Sequence, residues 1–530
     1  MKHIELLDCT LRDGGHINDS NFGEDVIRAI LKNLIASKID IIEAGFLQNC
    51  EYDKDRAMFN CIAEAKNILP EKTENTRYSL MGQADLYDWD KLEECDGTVE
   101  MVRISFHDYH IEEGFAAIKQ VVEKGYQCFV NPINVMGYTD EQLIAFCKRV
   151  NEIKPYGFTM VDTFGAMQKQ DLMRIYHILD HNLDKSIHMA VHLHENQSLS
   201  YSLAQNFIDI NSPTRDICID GSLYGMGRVP GNLCIELIMK YMNENLGTSY
   251  DIEPVYDAID EYIMEIKRKN PWGYSIAYAL SAQHKVHRTY AEYLMSQGRL
   301  KTKQINQILS QIEPEHRTRY DKAYIEKLYA AYQSHSIDDS ESIKQLKDKI
   351  CAAAAVSDIA EAKVLILAPG PGIRVNSEAV TAYAKSFGGY IFSANFVWEA
   401  IESDCAFFSN IRRLEAFSGK NGRKETMITS NLMDTGYEYD LVVNYSDYAY
   451  FKDQIADNCI LMLLRLLAAI GVRKVTFAGF DGFKKGSNFA MAQMEREADH
   501  THDNELTREV LGSLSGTMEF EWLTASLYAQ

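Results

Sequence analysis

Two short stretches of the chain carry the residue types that can do chemistry. In "HMAVHLHE" (188–195), His192 and His194 stand two positions apart in an apolar run. On a strand such residues face the same side, with Cα atoms roughly 7 Å apart, so two imidazoles can share one ion. "DCTLRDGGHIND" (8–19) follows the apolar "IELL" and gathers Arg12, Asp13 and His16 around two adjacent glycines. Two histidines and one carboxylate leave coordination positions open, which suits a catalytic divalent ion. Completion by oxygen from water or substrate favours Mn²⁺ or Mg²⁺ over structural zinc. A second His-x-His pair, His500 and His502 in "ADHTHDNE", lacks this context and reads as a solvated polar segment.

The elements around these stretches must bring them together. β-branched runs recur at 4–11, 39–46, 78–82, 101–107, 127–133, 158–165, 188–195 and 216–227, and most are separated by segments of helical periodicity. The crossover near 83–100 is polar and reads less clearly. Repeated strand–helix units of this number predict an α/β fold, a closed (β/α)₈ TIM barrel, with an open doubly wound sheet as the rival. A barrel of this kind keeps its active site at the C-terminal strand ends. Those ends offer Arg12, Asp13 and His16 on strand one, Glu43 on strand two and Asn131 on strand five. Strand six adds Asp162 and Thr163, strand seven His192 and His194, and Asn232 follows strand eight. Strand one then lies two strands from strand seven, which places Asp13 where the histidine pair needs a third ligand. The barrel is expected over 1–250, a helical extension over 251–350, and a smaller Rossmann-like α/β domain over 360–530.

Composition narrows the partners. The 530 residues carry a net charge of −22 with 46% hydrophobic and 25% charged residues. That balance fits a soluble globular protein and argues against a nucleic-acid partner, which would call for a basic surface. The eleven cysteines are scattered with no C-x-x-C pair, as buried free thiols in a reducing compartment would be. The N-terminus has no signal-like apolar region, and the apolar run at 459–472 is too short for a bilayer and contains Arg465. The expectation is a cytoplasmic protein without a membrane partner, open to homo-oligomerisation.

Taken together, "LDCTLRDGGH", "HLHEN" and "GMGRVPGN" resemble the metal-dependent aldolase–lyase superfamily on TIM barrels. Its members include 4-hydroxy-2-oxovalerate aldolase, 3-hydroxy-3-methylglutaryl-CoA lyase and the isopropylmalate and citramalate synthases. The resemblance covers about residues 1–290. It implies a metal held by Asp13, His192 and His194 with Asn232 as a further ligand, and Arg12 as the group that stabilises an enolate oxygen. His16 matches the base of the aldolase branch, where synthases read "R-D-G-E-Q", and no cysteine precedes Pro230 as in the CoA lyases. "VDTFGAM" resembles the aldolases' "D-S-x-G-A-M", which puts Thr163 near the substrate carboxylate, with Asn131 and Glu43 also on the substrate side. Tyr274, or alternatively Tyr278, would supply the tyrosine that such aldolases use. The implied partners are a 2-oxo acid and an aldehyde, joined or parted through a pyruvate enolate. A Claisen-type acyl-CoA enzyme and a barrel serving as scaffold for a nucleotide-sugar-binding domain are the alternatives.

In the last domain, "LILAPGPGIR" could let Gly370 and Gly372 approach a phosphate, or could be a plain strand-to-helix turn; it lacks G-x-G-x-x-G spacing and a Walker lysine. "GVRKVTFAGFDGF" weakly resembles nucleotide-binding domains of the hydroxymethylpterin diphosphokinase and sialyltransferase-like type. Asp481 there could hold a ligand or cap a turn.

Overall fold

The computed structural model describes residues 4–334, 336–452, 454–456, 458–484, 486, 488–491, 494 and 501–529. His500 lies outside the described residues. The chain forms two compact units, 1–288 and 289–530. The helices after the barrel are therefore divided, with Ile276–His284 in the first unit and Thr302–Leu309 and Lys322–Gln333 in the second.

The first unit is a closed barrel of parallel strands: β1 (Ile4–Asp8), β2 (Ile41–Leu47), β3 (Arg77–Gln83), β4 (Met101–Phe106), β5 (Gln127–Pro132), β6 (Gly157–Asp162), β7 (His188–Leu193) and β8 (Ile217–Gly221). Each strand pairs with its successor, and β8 returns to β1, with Ile4 opposite Ile217. The open-sheet rival is thereby excluded. The polar crossover between β3 and β4 holds only a short 3₁₀ turn, Trp89–Lys91. That segment lacks a continuous apolar stripe for a full helix to bury.

Side-chain alternation along the strands stacks the barrel interior in layers. Leu7, Ile41, Met101, Phe129, Ala190 and Cys218 form a buried apolar layer. Two residues further along, β2, β4, β5, β7 and β8 present Glu43, Arg103, Asn131, His192 and Asp220, all buried. Because the strand period is two, residues i and i+2 point inward together, and a polar layer sits directly above an apolar floor.

The second unit holds a seven-stranded, all-parallel sheet: β9 (Lys363–Leu367), β10 (Tyr390–Ala394), β11 (Ser403–Phe408), β12 (Arg423–Thr429), β13 (Leu441–Val443), β14 (Lys474–Ala478) and β15 (Glu519–Trp522). The spatial order is β13-β12-β11-β10-β9-β14-β15. Along β9, Val364 and Ile366 enter one apolar cluster while Leu365 and Leu367 enter another, so both faces are covered, as in open α/β sheets. Strand β15 reads "EFEW" with its residues half-buried or exposed in alternation, a weak signal easily missed at an edge. The apolar run beginning at 459 is the buried helix Cys459–Ile470, whose Arg465 donates to the Tyr448 carbonyl at 2.9 Å. Among the described residues, no helix is long and apolar enough to cross a membrane. All eleven cysteines are free thiols, Cys9, Cys128, Cys147, Cys218, Cys405 and Cys459 being buried.

Candidate metal centre at the barrel mouth

Asp13 stands at the centre of the polar cluster above β1. It occupies the N-cap position of the 3₁₀ turn Gly14–Ile17 after the strand end but makes no capping hydrogen bond there, so its carboxylate is spent on other partners. His192 Nε2 lies 4.0 Å from Asp13 Oδ1, and His194 Nε2 lies 4.0 Å from Asp13 Oδ2. One ligand atom from each of the three buried residues falls within 4.8 Å of the others. The barrel thus brings together the acid and the histidine pair from sequence positions about 180 apart.

Both imidazoles are oriented from behind. His192 Nδ1 bonds Asp220 Oδ2 at 3.0 Å, and His194 Nδ1 bonds the Asp162 carbonyl at 2.7 Å. Carboxylate and carbonyl oxygens only accept, so each Nδ1 carries the proton and each Nε2 lone pair is left for the mouth. Burial, reinforced by His192, pushes the His194 imidazole down to about 3, which keeps it neutral and able to ligate. For Asp13, burial alone would raise the pKa, but Arg12 and the neighbouring histidines outweigh it and hold the carboxyl well below its ordinary range. The donor set fits a divalent ion on a further count. His194 Nε2 and Asn232 Oδ1 are buried without a hydrogen-bond partner, an arrangement that costs stability unless something binds there.

A family model described as HMGL-like matches residues 3–260. The matched stretch coincides with the barrel unit. A 4-hydroxy-2-oxovalerate aldolase from Rhodococcus jostii is 22% identical over 268 residues, covering 49% of this chain and 73% of that protein. An oxaloacetate decarboxylase from Mycobacterium tuberculosis is also 22% identical, over 262 residues, covering 48% and 74%. Among solved structures, an HMG-CoA lyase from Brucella melitensis aligns with a TM-score of 0.42 at 12% identity, covering 51% of this chain and 100% of that one.

The remaining polar groups of the barrel mouth surround this centre. Asn232 Nδ2 donates to Asp13 Oδ2 at 2.8 Å, and His194 and Asn232 form an isolated antiparallel bridge that ties the loop after β8 to the end of β7. Gly227 must be glycine here: a Cβ would lie 2.2 Å from Asn232 Nδ2 and 2.6 Å from Asp13 Oδ2. Arg12 Nε donates to Glu43 Oε2 at 2.6 Å, and its Nη1 pairs with Asp13. His16 Nε2 lies 4.0 Å from Asp13 Oδ1, and its side chain is 45% exposed to the mouth. The crowding around its ring and the charges of Arg12 and Arg228 outweigh the attraction of Asp13 and lower the His16 pKa, so it is neutral near pH 7. Thr163 lines a small cleft with His194, Arg228 and His287 and accepts from the Asn134 N–H at 2.7 Å.

Some expected residues sit further back. Glu43 is fully buried between Arg12 and Arg103. Asn131, with its amide oxygen turned toward Arg103 Nη2, accepts there at 2.8 Å. Asp162 spends its carboxylate on the backbone of its own loop, accepting from Ala166 N–H at 2.9 Å and Met167 N–H at 3.1 Å. Tyr274 is 56% exposed on the turn before helix Ile276–His284 and does not line the cleft.

The structure also adds residues that the sequence reading missed. Arg103 donates to Asp220 Oδ2 at 2.6 Å, which completes a buried chain from Arg12 through Glu43, Arg103 and Asp220 to His192. Its only sequence signal is an arginine inside the apolar "MVRISF" and an aspartate inside "ICIDG". At the mouth, Arg228 Nη2 donates to His287 Nε2 at 2.8 Å, and burial together with Arg228 and Arg288 pushes His287 down to about 4. His287 and Arg288 lie in a stretch that reads only as amphipathic helix.

Proposed function

We propose that the HMGL-like barrel is a divalent-metal-dependent aldolase that parts or joins a 4-hydroxy-2-oxo acid through a pyruvate enolate. The observation that carries this reading is the convergence of Asp13, His192 and His194 with a neutral His16 and a fixed Arg12 at one barrel mouth. Mn²⁺ or Mg²⁺ bound by Asp13, His192, His194 and the Asn232 oxygen would polarise the 2-oxo group as a Lewis acid.

The chain's own groups supply the rest. His16 Nε2 takes the proton of the 4-hydroxyl, its lowered pKa keeping it unprotonated at neutral pH. The electrons of the C3–C4 bond pass to the 2-oxo acid fragment as the aldehyde leaves, and a proton taken up at C3 then completes pyruvate. Arg12 is anchored by Glu43 and Asp13, so its guanidinium meets the developing negative charge without having to reorganise. Thr163, which lines the cleft beside His194, would receive the substrate carboxylate. The low exposure of the centre keeps bulk water from the reacting carbons.

The reading is tested by pyruvate release from a panel of 4-hydroxy-2-oxo acids, with and without Mn²⁺. Metal-dependent pyruvate and an aldehyde in equal amounts are expected. Pyruvate from oxaloacetate alone would give the barrel to decarboxylation, and acetyl-CoA turnover without aldol cleavage would give it to the Claisen class.

A further inference from the structure

The second unit has a cavity of its own. Strand β9 lies between β10, the next in sequence, and β14, which the chain reaches only after four intervening strands. At such a switch point the loops leaving neighbouring strands diverge, and open α/β sheets bind ligands in the crevice beyond the strand C-termini. A cavity of about 380 Å³ opens there, bordered by Gly370 after β9, Asn395 after β10 and Gly479 after β14. Its size falls in the roughly 300–1,000 Å³ range of small-molecule sites.

The glycine turn after β9 is not a phosphate cradle. The Gly370 N–H donates to the Gly479 carbonyl at 2.8 Å, and the Gly372 N–H donates to the Asp481 carboxylate. A Cβ on Gly370 would come within 2.3 Å of the Gly479 oxygen, so glycine is needed for two loops to touch. Asp481 is likewise committed, accepting from Gly372 and from Thr524 Oγ1 at 3.2 Å.

The rest of the lining carries several donors beside Asp503, whose carboxylate pairs with His502 Nε2 at 2.8 Å. Asn395, Asn410 and Asn458 line it, and each spends its amide oxygen on a backbone N–H: Ser409 at 3.1 Å, Arg412 at 2.9 Å and Ile460 at 3.0 Å. A backbone N–H can only donate, so each amide NH₂ is left as a donor for a ligand. Arg299 and Arg413 add two guanidinium groups. Arg413 is braced, with Nη2 donating to the Met494 carbonyl at 2.9 Å and the guanidinium 4.9 Å from the centre of the Phe489 ring. Phe480, Phe483 and Tyr528 extend the aromatic wall.

We propose that this cavity is a binding site for a nucleoside phosphate, its base against the aromatic wall and its phosphate met by Arg299 and Arg413. An acceptor-rich anion suits the amide donors and the positive charge of the two guanidinium groups, a flat ring suits the phenyl faces, and the volume suits one nucleotide. The inference is independent of the reaction at the barrel.

Titration calorimetry on the full chain tests it, with AMP, CMP, GMP, UMP and their diphosphates as probes in Mg²⁺ buffer and with inorganic phosphate and ribose 5-phosphate as comparators. One-site binding by at least one nucleotide is expected, with the comparators weaker by about tenfold or more. Arg299→Gln and Arg413→Gln should each weaken it by about tenfold, the worth of one hydrogen bond to a charged group. Arg413 also braces a loop, so Arg299→Gln, together with Phe489→Leu, keeps the test meaningful if Arg413→Gln misfolds. The proposal is overturned if no nucleotide binds at millimolar concentration, if binding ignores Arg299→Gln and Phe489→Leu, or if inorganic phosphate binds equally well. Loss of nucleotide binding in folded His194→Ala would place the site in the barrel and also overturn it.

Discussion

Asp13 receives Arg12, Asn232 and the Arg228 N–H while facing three histidines, so one carboxylate organises the whole mouth. His16 is the histidine of the three that is neither braced from behind nor deeply buried, as a group that must move a proton would be. If it is the base, His16→Ala should slow aldol cleavage by roughly 10²–10⁴-fold, with metal content unchanged by atomic absorption. Cleavage at the wild-type rate with metal retained would remove it from the mechanism. Asp8 offers a separate test of burial. It accepts from the Thr10 N–H at 2.9 Å and Oγ1 at 2.8 Å, yet burial outweighs these bonds and raises its pKa from 3.8 to about 7. In the unfolded chain Asp8 sheds its proton first, so the folded state holds more protons between those two values. Its contribution is whole below the unfolded pKa and is lost as pH rises through about 7. Asp8→Asn should therefore flatten the fall in stability between roughly pH 4 and pH 7 in urea titrations; an unchanged slope would show that Asp8 ionises normally.

At the scale of elements, strand alternation puts charge above apolar packing. The chain from Arg12 through Glu43, Arg103 and Asp220 ends on His192 Nδ1, so β2, β4 and β8 together aim a ligand that sits on β7. Removing the carboxylate that sets the tautomer should loosen the metal more than the fold. Asp220→Asn is expected to weaken divalent-ion binding by about 10–100-fold, measured by competition with a chromogenic chelator, while far-ultraviolet circular dichroism stays as in the wild type. Unaltered affinity would mean that His192 is positioned by packing alone.

For the whole molecule, the two units have separate cores, one around the barrel and one on the two faces of the open sheet. Scanning calorimetry should resolve two transitions, and Mn²⁺ should raise only the one belonging to the barrel. At a metal concentration about a hundredfold above Kd the gain is about 2.7 kcal/mol, a shift of several degrees for a unit of this size. His194→Ala should abolish the shift and leave the other transition in place. A Mn²⁺ shift that persists in His194→Ala, or that moves both transitions equally, would contradict the assignment.

The barrel itself was legible from the chain because each strand is a β-branched run and most are followed by a helix-period segment, both local patterns. His192 and His194 were legible for the same reason, since a spacing of two on a strand fixes their common side. Asp13 entered only through the topology that eight repeats imply, and the closure from β8 to β1 is what sets it opposite the histidines. The ion relay through Arg103 and Asp220 was beyond local reading. Each is a lone charge in an apolar strand, and partners distant in sequence, as far as 117 residues away, make its burial tolerable. The same holds for Arg228 and His287, which meet through a turn and a helix start that carry no shared pattern. Tyr274, offered by the resemblance to aldolases, lies on an exposed turn, a placement that no local pattern fixes. Local sequence determined which elements form and which way their side chains face, because those follow from periodicity. Tertiary structure alone decided which charges meet, because pairing across the barrel depends on closure and burial that no short window contains.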